Sequence, residues 1–122
     1  MLRDSFYKVI STEETGTAAF NSTLLIDKQH SIFKGHFPGL PIVPGVCMLQ
    51  MIKELLENRL QKTLRLTSAA NIKFLSLINP VENDEVNISF KYSELENGML
   101  TADVIITGKD ITYFKINKAV YK

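Results

Sequence analysis

The sequence predicts an α+β fold with one sheet and one long helix, on three observations. Apolar residues alternate with period two in several separate runs, one stretch of about sixteen residues carries a helical period instead, and every run after that stretch returns to the strand period.

Tyr7 to Ile10 reads as a short first strand. Phe20, Leu24 and Ile26 share even positions with Ser22 between them, so a second strand ends near Asp27. Between Lys28 and Gly45 lie three of the four prolines and two of the six glycines, which makes this segment an irregular but stiffened loop. The helix follows, from about Val46 to Gln61. Met48, Leu49, Met51, Ile52, Leu55, Leu56 and Leu60 form its broad apolar face, and Gln50, Glu54, Glu57 and Gln61 form the opposite stripe. Pro44 and Gly45 stand where a helix begins, since the missing proline N–H costs nothing in the first turn. Leu64 and Leu66 then lead toward Ile72 and Phe74 in a strand whose phase slips at Leu75 and Leu77, a sign of a bulge or bend, and Pro80 ends it. Val86, Ile88, Phe90 and Tyr92 alternate strictly, Asn97-Gly98 supplies a hairpin turn, and Leu100, Ala102, Val104 and Ile106 alternate again. After a turn at Gly108 to Asp110, Ile111, Tyr113, Phe114 and Ile116 suggest the last strand. The order is strand, strand, helix and then four strands.

Length and composition restrict the function. A chain of 122 residues, 45% hydrophobic and 22% charged, fits one domain spanning 1–122 and excludes a long multidomain enzyme. A formal net charge of +1 without a Lys/Arg block argues against nucleic-acid and membrane-surface partners, whose binding draws on phosphate neutralisation. No apolar run reaches the roughly 18 residues of a membrane span, and the amino end lacks the regions of a signal peptide. The one cysteine, Cys47, cannot form an intrachain disulfide, which suits a reducing compartment; a cytoplasmic location is expected. On the first turn of an apolar helix Cys47 reads as a small buried hydrophobe rather than a nucleophile. His30, His36 and Cys47 have no compact ligand spacing, so no metal is expected.

The segment with chemical promise runs from Phe33 to Val46. Prolines fix the loop, the imidazole of His36 is presented near its start, and the loop feeds a helix whose first N–H groups are unpaired and carry partial positive charge. A base and an oxyanion binder facing one another suit removal of a proton beside a carbonyl: the base takes the proton while the N–H groups stabilise the enolate oxygen.

Gly35-His36-Phe37-Pro38, Pro41-Ile42 and Pro44-Gly45-Val46 reproduce, at the same spacings, the loop pattern of the 3-hydroxyacyl-[acyl-carrier-protein] dehydratases. The chain resembles that family strongly from Phe33 to Glu54 and weakly elsewhere. The resemblance implies a hot-dog fold, an antiparallel sheet wrapped around one long central helix. It implies reversible dehydration of a 3-hydroxyacyl thioester to the trans-2-enoyl thioester, in fatty acid or related polyene or polyketide synthesis. It makes His36 the base at the α-carbon, with the N–H groups of Gly45 and Val46 binding the thioester oxygen beside Phe37 and Pro44. No dissociable cofactor is implied, because the substrate rides on the phosphopantetheine arm of an acyl carrier protein. The implied partners are that carrier, the small acyl thioester, and a second copy in a homodimer or a higher oligomer of dimers that completes the site.

One position departs from the family. Fourteen residues after the histidine, where the family carries a Glu or Asp that serves the departing hydroxyl, this chain has Gln50; one turn on, where glutamine is common, it has Glu54. An amide donates no catalytic proton at neutral pH, whereas a carboxyl in an apolar cleft can. Glu54 shares the helix face of Gln50 but lies about 6 Å further along the axis. Two roles are open for the pair: to protonate the leaving hydroxyl, with Glu54 as the acid, or to position it. The exchange also leaves open a noncatalytic acyl-binding protein, or a subunit that forms a heterodimer with an active homologue. A hot-dog acyl thioesterase is the third alternative. Arg3, Lys28, Lys34 and Arg59 are candidates for steering an acidic carrier toward the loop.

Overall fold

The first two strands, β1 (Tyr7–Gly16) and β2 (Ala19–Ile26), form an antiparallel hairpin in a computed structural model that describes residues 1–37 and 39–122. Pro38, part of the loop motif, lies outside the described residues. β1 is ten residues long, well beyond the Tyr7 to Ile10 expected. Its second half, Ser11 to Gly16, lies on the sheet edge with its side chains exposed, so nothing imposes an apolar alternation there. In β2 the even positions Phe20, Ser22, Leu24 and Ile26 are all buried, as the period indicated. The hydroxyl of buried Ser22 is satisfied by Thr12 Oγ1 across the hairpin at 3.1 Å.

Two helices follow. α1 (Ile32–Gly35) is a single turn inside the stretch expected to be irregular, and its Phe33 is buried against Phe6. α2 (Gly45–Leu60) is the long helix, starting one residue before the expected position. It ends at Gln61, whose left-handed backbone (φ 54°) returns its N–H to the carbonyl of Glu57. Cys47, Met48, Met51, Ile52, Leu55 and Leu56 are buried in one core with inward residues of the sheet such as Phe20, Phe90, Val104 and Phe114. The rings of Phe20 and Phe90 stack there at 4.3 Å.

The segment expected as one strand from Leu64 to Pro80 contains two, β3 (Leu66–Ser68) and β4 (Asn71–Phe74). Both pair with the last strand, β7 (Ile111–Tyr121). The phase slip at Leu75 and Leu77 marks the end of β4 and the expected bend, at Ser76, with no bulge within β4. β5 (Glu85–Glu94) and β6 (Leu100–Gly108) flank the loop with Asn97-Gly98, where Gly98 takes a positive φ of 79° and donates to the carbonyl of Leu95. The sheet runs β1-β2-β5-β6-β7-β3, with β4 also on β7, and every pairing is antiparallel. Five strands thus follow the long helix among the described residues, one more than the sequence suggested. A seven-stranded antiparallel sheet around one long helix is the hot-dog architecture.

Candidate active site

The loop before α2 is held by its own backbone. Ile42 N–H donates to the carbonyl of His36 at 3.1 Å, Val43 N–H donates to the carbonyl of Ile78 at 3.0 Å, and Phe37 and Leu40 exchange two hydrogen bonds of 2.9 Å. Gly39 between them has φ 75°, a left-handed conformation that favours glycine. These bonds tie the loop both to itself and to the segment after β4.

His36 is oriented by the same loop. Its Nδ1 lies 3.3 Å from the carbonyl oxygen of Ile42, and its ring stacks on Phe37 with centroids 4.2 Å apart. A carbonyl oxygen only accepts, so Nδ1 carries the hydrogen and the lone pair is left on Nε2. That is the tautomer of a base. Pro44, with φ −64° and ψ 145°, turns the chain from the loop into α2. Its carbonyl takes the N–H groups of Cys47 and Met48 at 3.0 and 3.2 Å, while those of Gly45 and Val46 have no acceptor among the described residues.

His36, Phe37 and Gly45 line one cavity of about 500 Å³, together with Met48 and the wall formed by Phe74 and Leu77. Gly45 makes room for this wall. A Cβ built on it would stand 2.8 and 3.0 Å from two carbons of the Phe74 ring, so glycine lets that ring rest on the helix start. The cavity therefore joins an imidazole base, a helix N-terminus and an apolar lining, which is the set needed to remove a proton beside a carbonyl and hold the resulting enolate.

Gln50 and Glu54 do not line this cavity. Val46 is 73% exposed at the helix start and also lies outside its lining. Glu54, on the stripe opposite the apolar face, is only 3% exposed. Its Oε2 accepts from the N–H of Leu2 at 2.8 Å and from Nε2 of Gln50 at 2.7 Å; its Oε1 accepts from the N–H of Arg3 at 2.9 Å and the hydroxyl of Tyr7 at 3.0 Å. Burial alone pushes this carboxyl up, but the four donors outweigh it and hold it below its ordinary range. Each partner donates and none accepts, so the carboxylate is ionised and ties the amino-terminal segment to α2. Of the two roles the sequence left open for the pair, this geometry favours positioning. A carboxylate takes the NH2 side of the Gln50 amide, which leaves the amide oxygen facing away from Glu54. The amino-terminal donors escaped the sequence reading because backbone N–H groups leave no residue pattern; a tyrosine at Tyr7 was the one available signal.

Cys47 is buried, and burial pushes its thiol up, away from a nucleophile's range. Of the four cations named for steering, Arg59 pairs with Glu14 and lies over the ring of Phe20, and Lys28 lies 3.9 Å from Asp84. Among the described residues no three His, Cys, Asp or Glu side chains cluster as metal ligands, and no helix is long and apolar enough to cross a membrane.

A family model described as ApeI-like, ApeI dehydratase, matches residues 11–110. Among solved structures, the dehydratase heterocomplex ApeI:P from Xenorhabdus doucetiae is similar, with a TM-score of 0.73 and 20% identity over 94% of this chain and 97% of that one. An uncharacterized protein from Erwinia carotovora subsp. atroseptica is also similar, with a TM-score of 0.62 and 21% identity over 95% of this chain and 94% of that one. Those likenesses establish the fold. No curated protein matches the chain in sequence.

Proposed function

The chain belongs to the ApeI-like dehydratase family, and from that premise we propose that it catalyses reversible dehydration of a 3-hydroxyacyl thioester, carried on an acyl carrier protein, to the trans-2-enoyl thioester in fatty acid, polyene or polyketide synthesis. One arrangement carries the proposal: His36, whose Nδ1 is engaged by the Ile42 carbonyl, and Gly45, whose N–H has no acceptor among the described residues, line the same apolar cavity. Nε2 takes the α-proton, and the helix start stabilises the negative charge that moves onto the thioester oxygen. The C3–O bond then breaks, and the proton held on His36 leaves with the hydroxyl as water. Gln50 serves the hydroxyl as an acceptor through its amide oxygen, and Glu54 orients that amide.

Gln50 and Glu54 lie outside the His36 cavity of their own protomer, so the proposal places them in the site of a second copy. The exposed apolar residues Phe74, Leu75 and Leu77 beside that cavity fit the joining surface of such a homodimer. The amide at Gln50 also favours a second reading, a subunit that supports an active homologue; the similar ApeI:P structure is itself a dehydratase heterocomplex.

Mass spectrometry of carrier-linked trans-2-enoyl chains incubated with the protein tests this. The expected product is one water heavier with the thioester intact. Release of free acid and thiol would make the protein a thioesterase. Hydration that appears only when a homologue with a helix carboxylate is added would favour the supporting subunit.

A further inference from the structure

Three of the four donors on Glu54 come from one short stretch, Leu2 to Tyr7. That stretch is folded back on itself: the N–H groups of Ser5 and Phe6 donate to the carbonyl of Leu2 at 3.1 and 2.7 Å, and that of Asp4 donates to the carbonyl of Tyr7 at 2.7 Å. Phe6 pins it in place. Its buried ring lies 5.4 Å from that of His30 and 5.5 Å from that of Phe33, between centroids, and its carbonyl accepts from the N–H of Asp27 at 2.8 Å. The donors therefore reach Glu54 from a stretch fastened both to α1 and to the end of β2, which holds them in one orientation.

Tyr7 is the only side chain among these three donors. It is 1% exposed, and burial together with the Glu54 carboxylate pushes its hydroxyl well above the ordinary range, so it keeps its hydrogen and donates to Oε1 at 3.0 Å. A carboxylate oxygen has about two acceptor places. Arg3 and Tyr7 fill both on Oε1, and Leu2 fills one on Oε2, so a single place is left for the Gln50 amide. The carboxylate cannot turn while Tyr7 holds it, and the amide that depends on it is held as well.

We infer that Tyr7 is a positioning residue for the departing hydroxyl, acting through Glu54 on the amide of Gln50. This rests on the role proposed above for Gln50 in the site of a second copy, and extends it to a side chain one hydrogen bond further back. Without the Tyr7 hydroxyl, Oε1 has an open place, the carboxylate is free to turn, and the Gln50 oxygen is no longer kept toward the hydroxyl that leaves C3. The α-proton step does not use this path, because His36 is oriented by the carbonyl of Ile42. Loss of the Tyr7 hydroxyl therefore slows one step of the reaction and spares the other.

Tyr7→Phe in deuterium oxide separates the two steps. A carrier-linked 3-hydroxyacyl thioester is incubated with the full chain and sampled early, before enoyl product accumulates. Mass spectrometry then reads the deuterium fixed at the α-carbon of recovered substrate and the enoyl thioester formed. The expected ratio of exchange to elimination is about tenfold above that of wild type, as for the loss of one hydrogen bond to a charged group. A variant that is merely less well folded slows both steps alike and keeps the wild-type ratio. Tyr121→Phe, which removes the hydroxyl of an equally buried tyrosine on β7, should also keep it. In Gln50→Ala the ratio should already be high, and adding Tyr7→Phe should raise it no further. A wild-type ratio in Tyr7→Phe, an equal rise in Tyr121→Phe, or a rise that Gln50→Ala leaves undiminished would overturn the inference and leave the dehydratase reading standing. Neither exchange nor elimination by wild type would overturn that reading and the inference with it.

Discussion

Glu54 is a buried anion solvated by four donors, and no cation pairs with it among the described residues. Each of its oxygens takes two donors, one of them a backbone N–H that can only donate, so Glu54→Gln would turn an NH2 group toward the N–H of Leu2 or of Arg3. The expected cost is about 3 kcal/mol, read as a lower urea midpoint at pH 7. The same carboxylate makes stability fall in acid. Its folded pKa lies below the ordinary 4.5, so the unfolded chain binds the proton more readily; the stabilisation is complete above that value and is lost as pH drops through the folded pKa. Urea midpoints taken between pH 6 and pH 3 should fall more steeply for wild type than for Glu54→Gln. His36 differs from Glu54 in how visible it was. Its loop carries a spaced pattern of glycine, proline and histidine, so the sequence displayed the histidine proposed as the base, whereas two of the partners of Glu54 are Leu2 and Arg3 backbone groups some fifty positions away.

At the scale of elements, the start of α2 carries N–H groups with no acceptor among the described residues, proposed to bind the thioester oxygen, and seats the ring of Phe74. Gly45→Ala sets a methyl against the far end of that ring, which is 59% exposed and free to swing. The variant is expected to melt within a few degrees of wild type while kcat/KM for hydration falls about tenfold, because a small displacement at the oxyanion site is enough. Deeper in the helix, Leu56 is fully buried, and Leu56→Ala should cost about 3 kcal/mol in urea unfolding with near-normal chemistry in the fraction that stays folded. Elements were legible in proportion to how one-sided their burial is. β2, β5, β6 and α2 press one face into the core and show their period in sequence; the outer half of β1 has exposed side chains and no period survives there, and β4, exposed throughout, keeps only Ile72 and Phe74 in alternation. The split between β3 and β4 was hidden for the same reason.

The whole molecule leaves Phe74, Leu75 and Leu77 at 52–68% exposure next to the cavity lined by His36. Apolar side chains gathered in this way mark a joining surface, and the homodimer proposed on it predicts that Leu77→Asp halves the sedimenting mass without changing the far-ultraviolet dichroism. The fold class followed from period and element order, but the proposed assembly and the cavity beside His36 depend on neighbours brought together by tertiary structure, which a linear pattern does not display. Everything proposed for the reaction depends on His36 moving a proton at the α-carbon. Hydration of an enoyl thioester in deuterium oxide, followed by mass spectrometry for wild type, His36→Ala and Gln50→Glu, tests this most directly. Wild type should place one non-exchangeable deuterium at the α-carbon with the thioester intact, Gln50→Glu should do the same, and His36→Ala should lower the rate about a thousandfold. Undiminished deuterium incorporation by His36→Ala, or none by wild type, would contradict the assignment of His36 as the base.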